Sequence, residues 1–573
     1  MDINNKFKIK TAKPAAVNQF NNLSCDHITT SNFMEVQPVY YRHLTPADET
    51  LTVSAEAYSR LQPMPIPTMG RAQQNIRAFW VPYRTIMSSW NNFITDTYDG
   101  TSQNKMPILS SSQIQRLFAM EEMSISTGEL NMDFIINTGN QSLYYKFTSF
   151  GRKVYKVLLS LGYDYTLSNL GNISYNALAL LAYFKVINDW YYPSQYVADS
   201  PLSGILNSVF TGNDVILTSD ELYKAFKYAA AVDMYNPDYF TSAFDNPEGP
   251  SVVNNGSVIF KDITQTPQTS QVGIGSNNTP VMQQDPQYTP TQITEYGLHT
   301  LHALSDYMKR HQLAGCRALD RYLARYGITL STEKLNRSTY IGVKSTPLQF
   351  SSVESTSSTE SAYLGDYAGK GQSFIQDSFT CNPQGEYGMF IIINSFVPQV
   401  GYVQGIDRHN LHLSNYDFYT PEFDALGNQA ISKLELFNSI VNYTANSEGV
   451  VNQVFGFTPR YSEYKVPRDF LTGDFRVRSV GADNLQAWHL MRLFDVLDYD
   501  ELVHDIDFVS GTDAKQYGRI FYENSENGSD QIHCIFRFHV ELSSHQKPLY
   551  DVFDFSNDDG HDIILDSNGV KVN

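Results

Sequence analysis

Two histidine pairs are the first candidates for chemistry. His299 and His302 stand three residues apart, and so do His409 and His412. Three-residue spacing on a helix puts both imidazoles on one face, where they would bind zinc if a further ligand completed the set. No fitting carboxylate follows either pair, so metal binding is the weaker reading. His504, Asp505 and Asp507 lie in DYDELVHDIDFV, with Asp495, Asp498, Asp500 and Glu501 beside them. Calcium would suit so many acids, but the glycine and closing glutamate of an EF-hand loop are missing, and a solvated acidic loop is the better account. GIGSNN at 273–278 has two glycines of a dinucleotide loop, no third, and no helix after it. GxSxG, HExxH and P-loop motifs are absent. With 60 acidic residues a carboxylate pair for glycoside hydrolysis can always be drawn, so none is selected. Cys25, Cys316, Cys381 and Cys534 form no CxxC, and free, buried thiols are expected. No catalytic, cofactor-binding or metal-binding residue is assigned, and no enzyme is expected.

The candidates for polyanion contact are basic. Lys6, Lys8, Lys10 and Lys13 stand against one acid, Asp2, in residues 1–20, which read as a flexible arm. These four lysines are the polyanion-contact candidates; a solvated tail is the plainer alternative. In QIHCIFRFHVEL, His533, Arg537 and His539 share one strand face and would touch phosphate, or else face solvent or an interface. The chain as a whole points the other way. Its 573 residues carry 41 Lys and Arg against 60 Asp and Glu, a formal charge of −19, which excludes a generally basic nucleic-acid binder. Hydrophobic residues make up 42%, enough for a large core, so disorder throughout is excluded. Only 18% of residues are charged and 13% are aromatic, a balance suited to an all-β shell or an assembly surface.

The elements that must position these residues are mostly strands. ETLTVSAEAYSRL alternates, with Leu51, Val53, Ala55 and Ala57 on one face and Thr50, Thr52, Ser54 and Glu56 on the other. NIRAFWVPYR is a strand that stops at Pro82, and the run of Phe390, Ile391, Ile392 and Ile393 in GMFIIINSFVPQ predicts burial on both faces. In QIHCIFRFHVEL, Cys534, Phe536, Phe538 and Val540 alternate with the polar set. Helices are expected over about 145–161, ending at Gly162; over SYNALALLAYFKVINDWYY from an N-cap at Ser174; from Thr218 to about Val232, with Glu221 completing a capping box; and over about 293–326, with Gly315 as the point of a break. Residues 244–292, rich in Asn, Gln, Pro, Thr and Ser, read as a long surface loop or insertion. No apolar run reaches about 18 residues, so no membrane span is expected. The N-terminus lacks the apolar stretch of a secretory signal, so a soluble protein used in a cytosol is expected. Strands at both chain ends with helices between them describe a sandwich whose long connections carry the helices.

Several segments together resemble a known family. AFWVPYRTIMSSWNNFIT (78–95) is similar to the strand-to-helix motif of Microviridae major capsid proteins, with Trp80 replacing a Phe. VINDWYYPSQY (186–196) and DYFTSAFDNPEGP (238–250) resemble two further segments; Tyr192, Pro193 and Phe244-Asp245-Asn246 depart from the family pattern. STYIGVKSTPLQFSSV (338–353), YVQGIDR (402–408), DFYTPEFDALGNQAI (417–431), VFGFTPRYSEYKVPRDFLTGDFR (454–476) and LQAWHL (485–490) follow in the family's order. The collinear resemblance covers about 78–490 and lies nearest the gokushovirus-like branch of these small tailless phages.

The resemblance implies a mainly β fold: an eight-stranded antiparallel jelly roll with long helix-containing insertions, spanning 21–573 after the 1–20 arm. It implies a structural capsid subunit in the virion, forming pentamers and a sixty-copy T=1 icosahedral shell around single-stranded DNA and assembled in the host cytoplasm. Its implied partners are further copies of the chain, the packaged DNA, a small basic DNA-binding phage peptide, a pilot or minor capsid protein, and a host surface receptor. Residues 197–292 correspond to an insertion projecting at the threefold axes. A secreted jelly-roll glycan-binding or glycan-cleaving protein is the rival reading; it would bring a secretory signal or a repeated carbohydrate module, and neither is seen. A host-made protein that borrowed the fold is a third.

Overall fold

The computed structural model describes residues 17–95, 336–354, 367–437, 454–494 and 504–546. It also describes 105–114, 149–163, 173–192, 200–229, 233–244 and 317–328, with short gaps inside several of these ranges and a few isolated pieces besides. The candidates Lys6, Lys8, Lys10, Lys13, His302, Cys316, Asp495, Asp498, Asp500 and Glu501 lie outside the described residues.

Ten strands build two antiparallel sheets. In chain order they are β1 (Asn18–Phe20), β2 (Cys25–Ser31), β3 (Gln37–Leu44), β4 (Asp48–Leu61), β5 (Ala72–Pro82), β6 (Thr339–Pro347), β7 (Gln349–Glu354), β8 (Tyr367–Cys381), β9 (Gly388–Pro398) and β10 (Ile532–Ser544). The larger sheet runs β1-β10-β4-β8-β7, with β2 also paired to β10; the smaller runs β6-β5-β9-β3. Two stacked antiparallel sheets whose neighbours come from opposite ends of the chain are the architecture of a jelly roll. The two sheets hold ten strands where eight are expected; three-residue β1 and six-residue β7 are the short members of the larger sheet.

Periodicity explains which sheet is covered on which side. β10 alternates buried and exposed without interruption from Ile532 to Glu541, and β4 alternates along its inner face. Both turn one face inward, and their inward side chains form the core between the sheets: Leu51, Val53, Phe536, Phe538 and Val540 meet Ile76, Trp80, Phe390 and Ile392. Every residue of β9 is buried, because its other face packs under helices. Those helices are α1 (Ser149–Ser160), α2 (Leu178–Val186), α3 (Pro201–Thr211) and α4 (Ser219–Ala229). They bring Leu158, Leu181, Phe184, Leu202 and Phe226 against Phe79, Val81, Ile391 and Ile393. α2 is buried all round, as a helix apolar on every face must be.

Several expectations are corrected. Ser174 is not an N-cap: Ser174–Asn176 is a strand paired with Ile108–Ser110, and α2 begins after Ala177. α1 starts at Ser149 because Ser142–Tyr145 is taken up in a hairpin with Ile135–Thr138. In the expected 293–326 helix, Arg317 has an extended backbone (ψ 130°) and caps α5 (Ala318–Tyr326), while Gly315 lies outside the described residues. Within the expected surface insertion 197–292, α3 and α4 are core: their amphipathic faces bury Leu202, Leu206, Leu222 and Phe226. The Thr218–Glu221 capping box is present, with the Glu221 carboxylate accepting from the Thr218 backbone N–H at 3.0 Å and its hydroxyl at 2.7 Å.

Candidate functional site

Two connections are long: 83–338 between β5 and β6, and 399–531 between β9 and β10. Most of the capsid-like motifs lie in these connections, with 338–353 on β6 and β7, and the fold brings them together. At the first junction Asp189 accepts hydrogen bonds from the Ser338 backbone N–H at 2.8 Å and its hydroxyl at 2.9 Å. The Trp190 indole donates to the Ser338 hydroxyl at 3.0 Å, and the Arg337 guanidinium stacks 4.3 Å above that indole. Thus the NDW segment docks on the start of β6, 149 residues further along.

The second junction joins the two connections. The Asp238 carboxylate closes its own turn by accepting from Phe240 and Thr241 N–H, and it accepts the Tyr402 hydroxyl at 2.9 Å. Phe244 and Phe457 exchange backbone hydrogen bonds of 2.7 Å. Gln404 pairs with the backbone of Phe494 in both directions, at 2.7 and 2.9 Å. Gly405 lies so close to the Glu435 carbonyl that a Cβ would overlap it, so only glycine fits the YVQGID turn here. Arg492 is 2% exposed. Its guanidinium lies 4.3 Å from the Phe508 ring centre and 4.6 Å from that of Tyr235, and it donates to the Phe508 carbonyl at 2.9 Å. Burial of such a cation is tolerable because ring faces and a carbonyl replace water.

A third contact ties the connections to the barrel. Arg77 on β5 donates to Asp233 at 2.6 Å, and the Ser395 hydroxyl on β9 donates to the same oxygen at 2.5 Å. At the opposite edge, Lys156 of α1 lies 2.7 Å from Glu35 and 3.4 Å from Asp530. Burial raises the Asp530 pKa, but Lys156, the Thr30 hydroxyl, Arg152 and the Asn32 amide together outweigh it and hold the carboxyl below its usual range.

Of the metal candidates, the 409/412 pair, His299 and His504 can be followed among the described residues. The His409 and His412 rings lie 5.5 Å apart, with His409 beside Asp407 at 3.0 Å and buried His412 at 3.4 Å from Glu463. His299 is exposed on its helix. His504 is buried edge-on to Phe455, so it packs a core and is not part of a solvated loop; Asp505 accepts the Phe508 N–H. No group of three metal-ligating residues occurs among the described residues. Gly273 sits in a strand, Val272–Ile274, paired with Pro280–Met282. Burial pushes the thiols of Cys381 and Cys534 up to about 12, whereas Cys25 is exposed rather than buried. Among the described residues no helix is long and apolar enough to cross a membrane.

The second connection leaves several large apolar side chains exposed. Leu413 is 93% and Phe470 72% exposed, and Tyr416, Phe418, Tyr419, Tyr464 and Val466 are also open to solvent. Beside them a cavity of about 270 Å³ is lined by Asp407, Arg408, Glu435, Glu463, Val466 and Phe470, among others. Sequence reasoning missed this surface, since exposure of a Tyr or Phe is not a pattern in the chain.

The model of the family described as "Capsid protein (F protein)" matches residues 8–116 and 156–545. The chain belongs to this capsid protein family. The match takes in both sheets and both junctions, so the motif contacts above are the framework of a phage capsid subunit. Similar relatives are three proteins named capsid protein VP1. That of Bdellovibrio phage phiMH2K is 24% identical over 521 residues, covering 82% of this chain and 84% of the relative. That of Chlamydia phage 1 is 27% identical over 206 residues (36% and 34%), and that of Spiroplasma virus 4 is 24% identical over 426 residues (66% and 73%). All are Microviridae, as the motifs imply. The protein is therefore a structural capsid protein of a virion and not an enzyme.

Proposed function

We propose that sixty copies of this chain, by way of pentamers, close a T=1 icosahedral shell around a single-stranded DNA genome in the host cytoplasm. The observation that carries the assembly reading is the exposed apolar surface between Leu413 and Phe470. Monomers rarely leave such patches open, and burial of this surface against neighbouring copies is the driving force a shell needs. The lysine arm (Lys6, Lys8, Lys10, Lys13) faces the genome, a small basic phage peptide supplies further neutralisation, and a pilot or minor capsid protein joins the particle. The insertion within 197–292 projects from the shell, although α3 and α4 inside it are buried, and its clustered copies would meet a host receptor through many weak contacts. The purified protein is examined by size-exclusion chromatography and negative-stain microscopy. Pentamers or closed particles are expected; a monomer that never assembles across salt and concentration refutes the reading.

A further inference from the structure

The smaller sheet is roofed by α1–α4, but the outward face of the larger sheet carries no described helix or strand. Its registers place one apolar row straight across four strands. Ile28 on β2 pairs with Ile535 on β10, Ile535 with Tyr58 on β4, and Tyr58 with Phe374 on β8. These side chains are 76%, 40%, 42% and 56% exposed in that order. Strands spaced about 4.8 Å apart make this row about 14 Å long. The row on one side contains His533 and Arg60 paired across β10 and β4; the row on the other contains Arg537 opposite Glu56. Rows on one face stand about 7 Å apart along a strand.

We propose that this face is where the capsid protein holds its packaged single-stranded DNA, with bases stacked on Tyr58 and Phe374 and phosphates on Arg60 and Arg537. The inference rests on the capsid reading and adds the residues that meet the genome. Three features favour a nucleic acid over another protein copy. Aromatic rings standing on a sheet and flanked by arginine form a sequence-tolerant stacking platform, since every base has a π-face. The rest of this face offers hydroxyls and amides, such as Ser54, Gln372 and Gln376, which donate to phosphate and sugar. The charge also fits: in a chain of −19, the outward residues of β2, β4, β7, β8 and β10 balance, with Arg60, Lys370 and Arg537 against Asp26, Glu56 and Glu541. A polyanion meets no net repulsion there.

Ultraviolet cross-linking of DNA inside intact particles, read by mass spectrometry, tests the proposal without any variant. Cross-linked nucleotides are expected on peptides carrying Tyr58 and Phe374. Cross-links confined to other segments, or a protein–protein cross-link covering this face, overturn it while the assembled shell still upholds the capsid reading. The unassembled subunit with a dT20 probe gives a second measure. Tyr58→Ala with Phe374→Ala is expected to weaken binding roughly tenfold or more. Arg60→Gln with Arg537→Gln is expected to flatten the salt slope by about 1.4, at about 0.7 per lost phosphate contact. Unchanged affinity and slope in folded variants overturn the assignment; absence of particles from the wild-type chain refutes the capsid reading instead.

Discussion

Replacing Asp233 with alanine should uncouple the first long connection from the barrel, and the structure sets the size of the loss. The Asp233 side chain is 4% exposed and accepts from Arg77 at 2.6 Å and from the buried Ser395 hydroxyl at 2.5 Å. Removing one partner of a buried ion pair costs about 3–5 kcal/mol, because the other charge is left desolvated. Arg77 keeps 22% of its side chain exposed and hydrogen bonds to Tyr191 at 3.3 Å, so the lower end applies, about 3 kcal/mol. For 573 residues at about 2.1 cal/mol/K each the unfolding entropy is about 1.2 kcal/mol/K, so melting of the whole chain as one unit would shift by about 2.5 °C. Arg77→Met alone should cost a similar amount by stranding the carboxylate. The double variant strands neither charge, so its cost should fall well below the sum, with a coupling of about 2 kcal/mol or more. Urea unfolding of the unassembled subunit, followed by tryptophan fluorescence, measures all four corners; midpoints are compared within the set because a chain this long unfolds in steps. A single-variant loss under about 1 kcal/mol, or additive losses, would falsify the view that the pair clamps the connection.

Gly405→Ala should abolish folding of the second connection, since the new methyl overlaps the Glu435 backbone, and soluble yield and particle formation should collapse together. Gly342→Ala, where a Cβ meets nothing within 4 Å, should assemble normally; equal behaviour of the two would discredit the steric account. His489 titrates in a third test. Burial first, and Arg519 second, pull its pKa down to about 4, so the folded state favours the neutral ring. Unfolded chains bind the extra proton below about 6.5, so stability is level above that pH and falls as pH drops from about 6.5 to about 4. The full shift would amount to about 3.4 kcal/mol, which solvent screening reduces to about 1–2 kcal/mol. His489→Gln should flatten that part of the pH dependence in urea midpoints; an unaltered acid slope would assign it to other groups.

Local chemistry made a good part of the fold legible. The alternation of β10, the uninterrupted apolar run of β9 and the Thr218 capping box all follow from side-chain period and short-range hydrogen bonding, which a chain displays in one dimension. Where the sequence reading failed, a distant partner had overruled local preference. Ser174 has the type of a helix cap, yet Ser110 claims it for a strand pair. Arg317 has no breaker character, yet its guanidinium donates to the carbonyls of Asn188 and Asp189, and α5 begins only after it. Arg492 looks like a surface cation until rings from Tyr235 and Phe508 enclose it.

The sequence by itself determined four of the ten strands (β4, β5, β9 and β10), the inward faces of β4 and β10, the acidic balance and, through collinear motifs, the capsid family. Only the tertiary structure decided what those motifs do, which is to bind the two long connections to each other and to the barrel. It also decided which apolar side chains remain outside: Tyr58 and Ile535 alternate as regularly as their buried neighbours, and Leu413 and Phe470 are no different in type from core residues. Periodicity assigns a residue to a face, but whether that face is roofed depends on segments hundreds of residues away, and that pairing is written only in three dimensions.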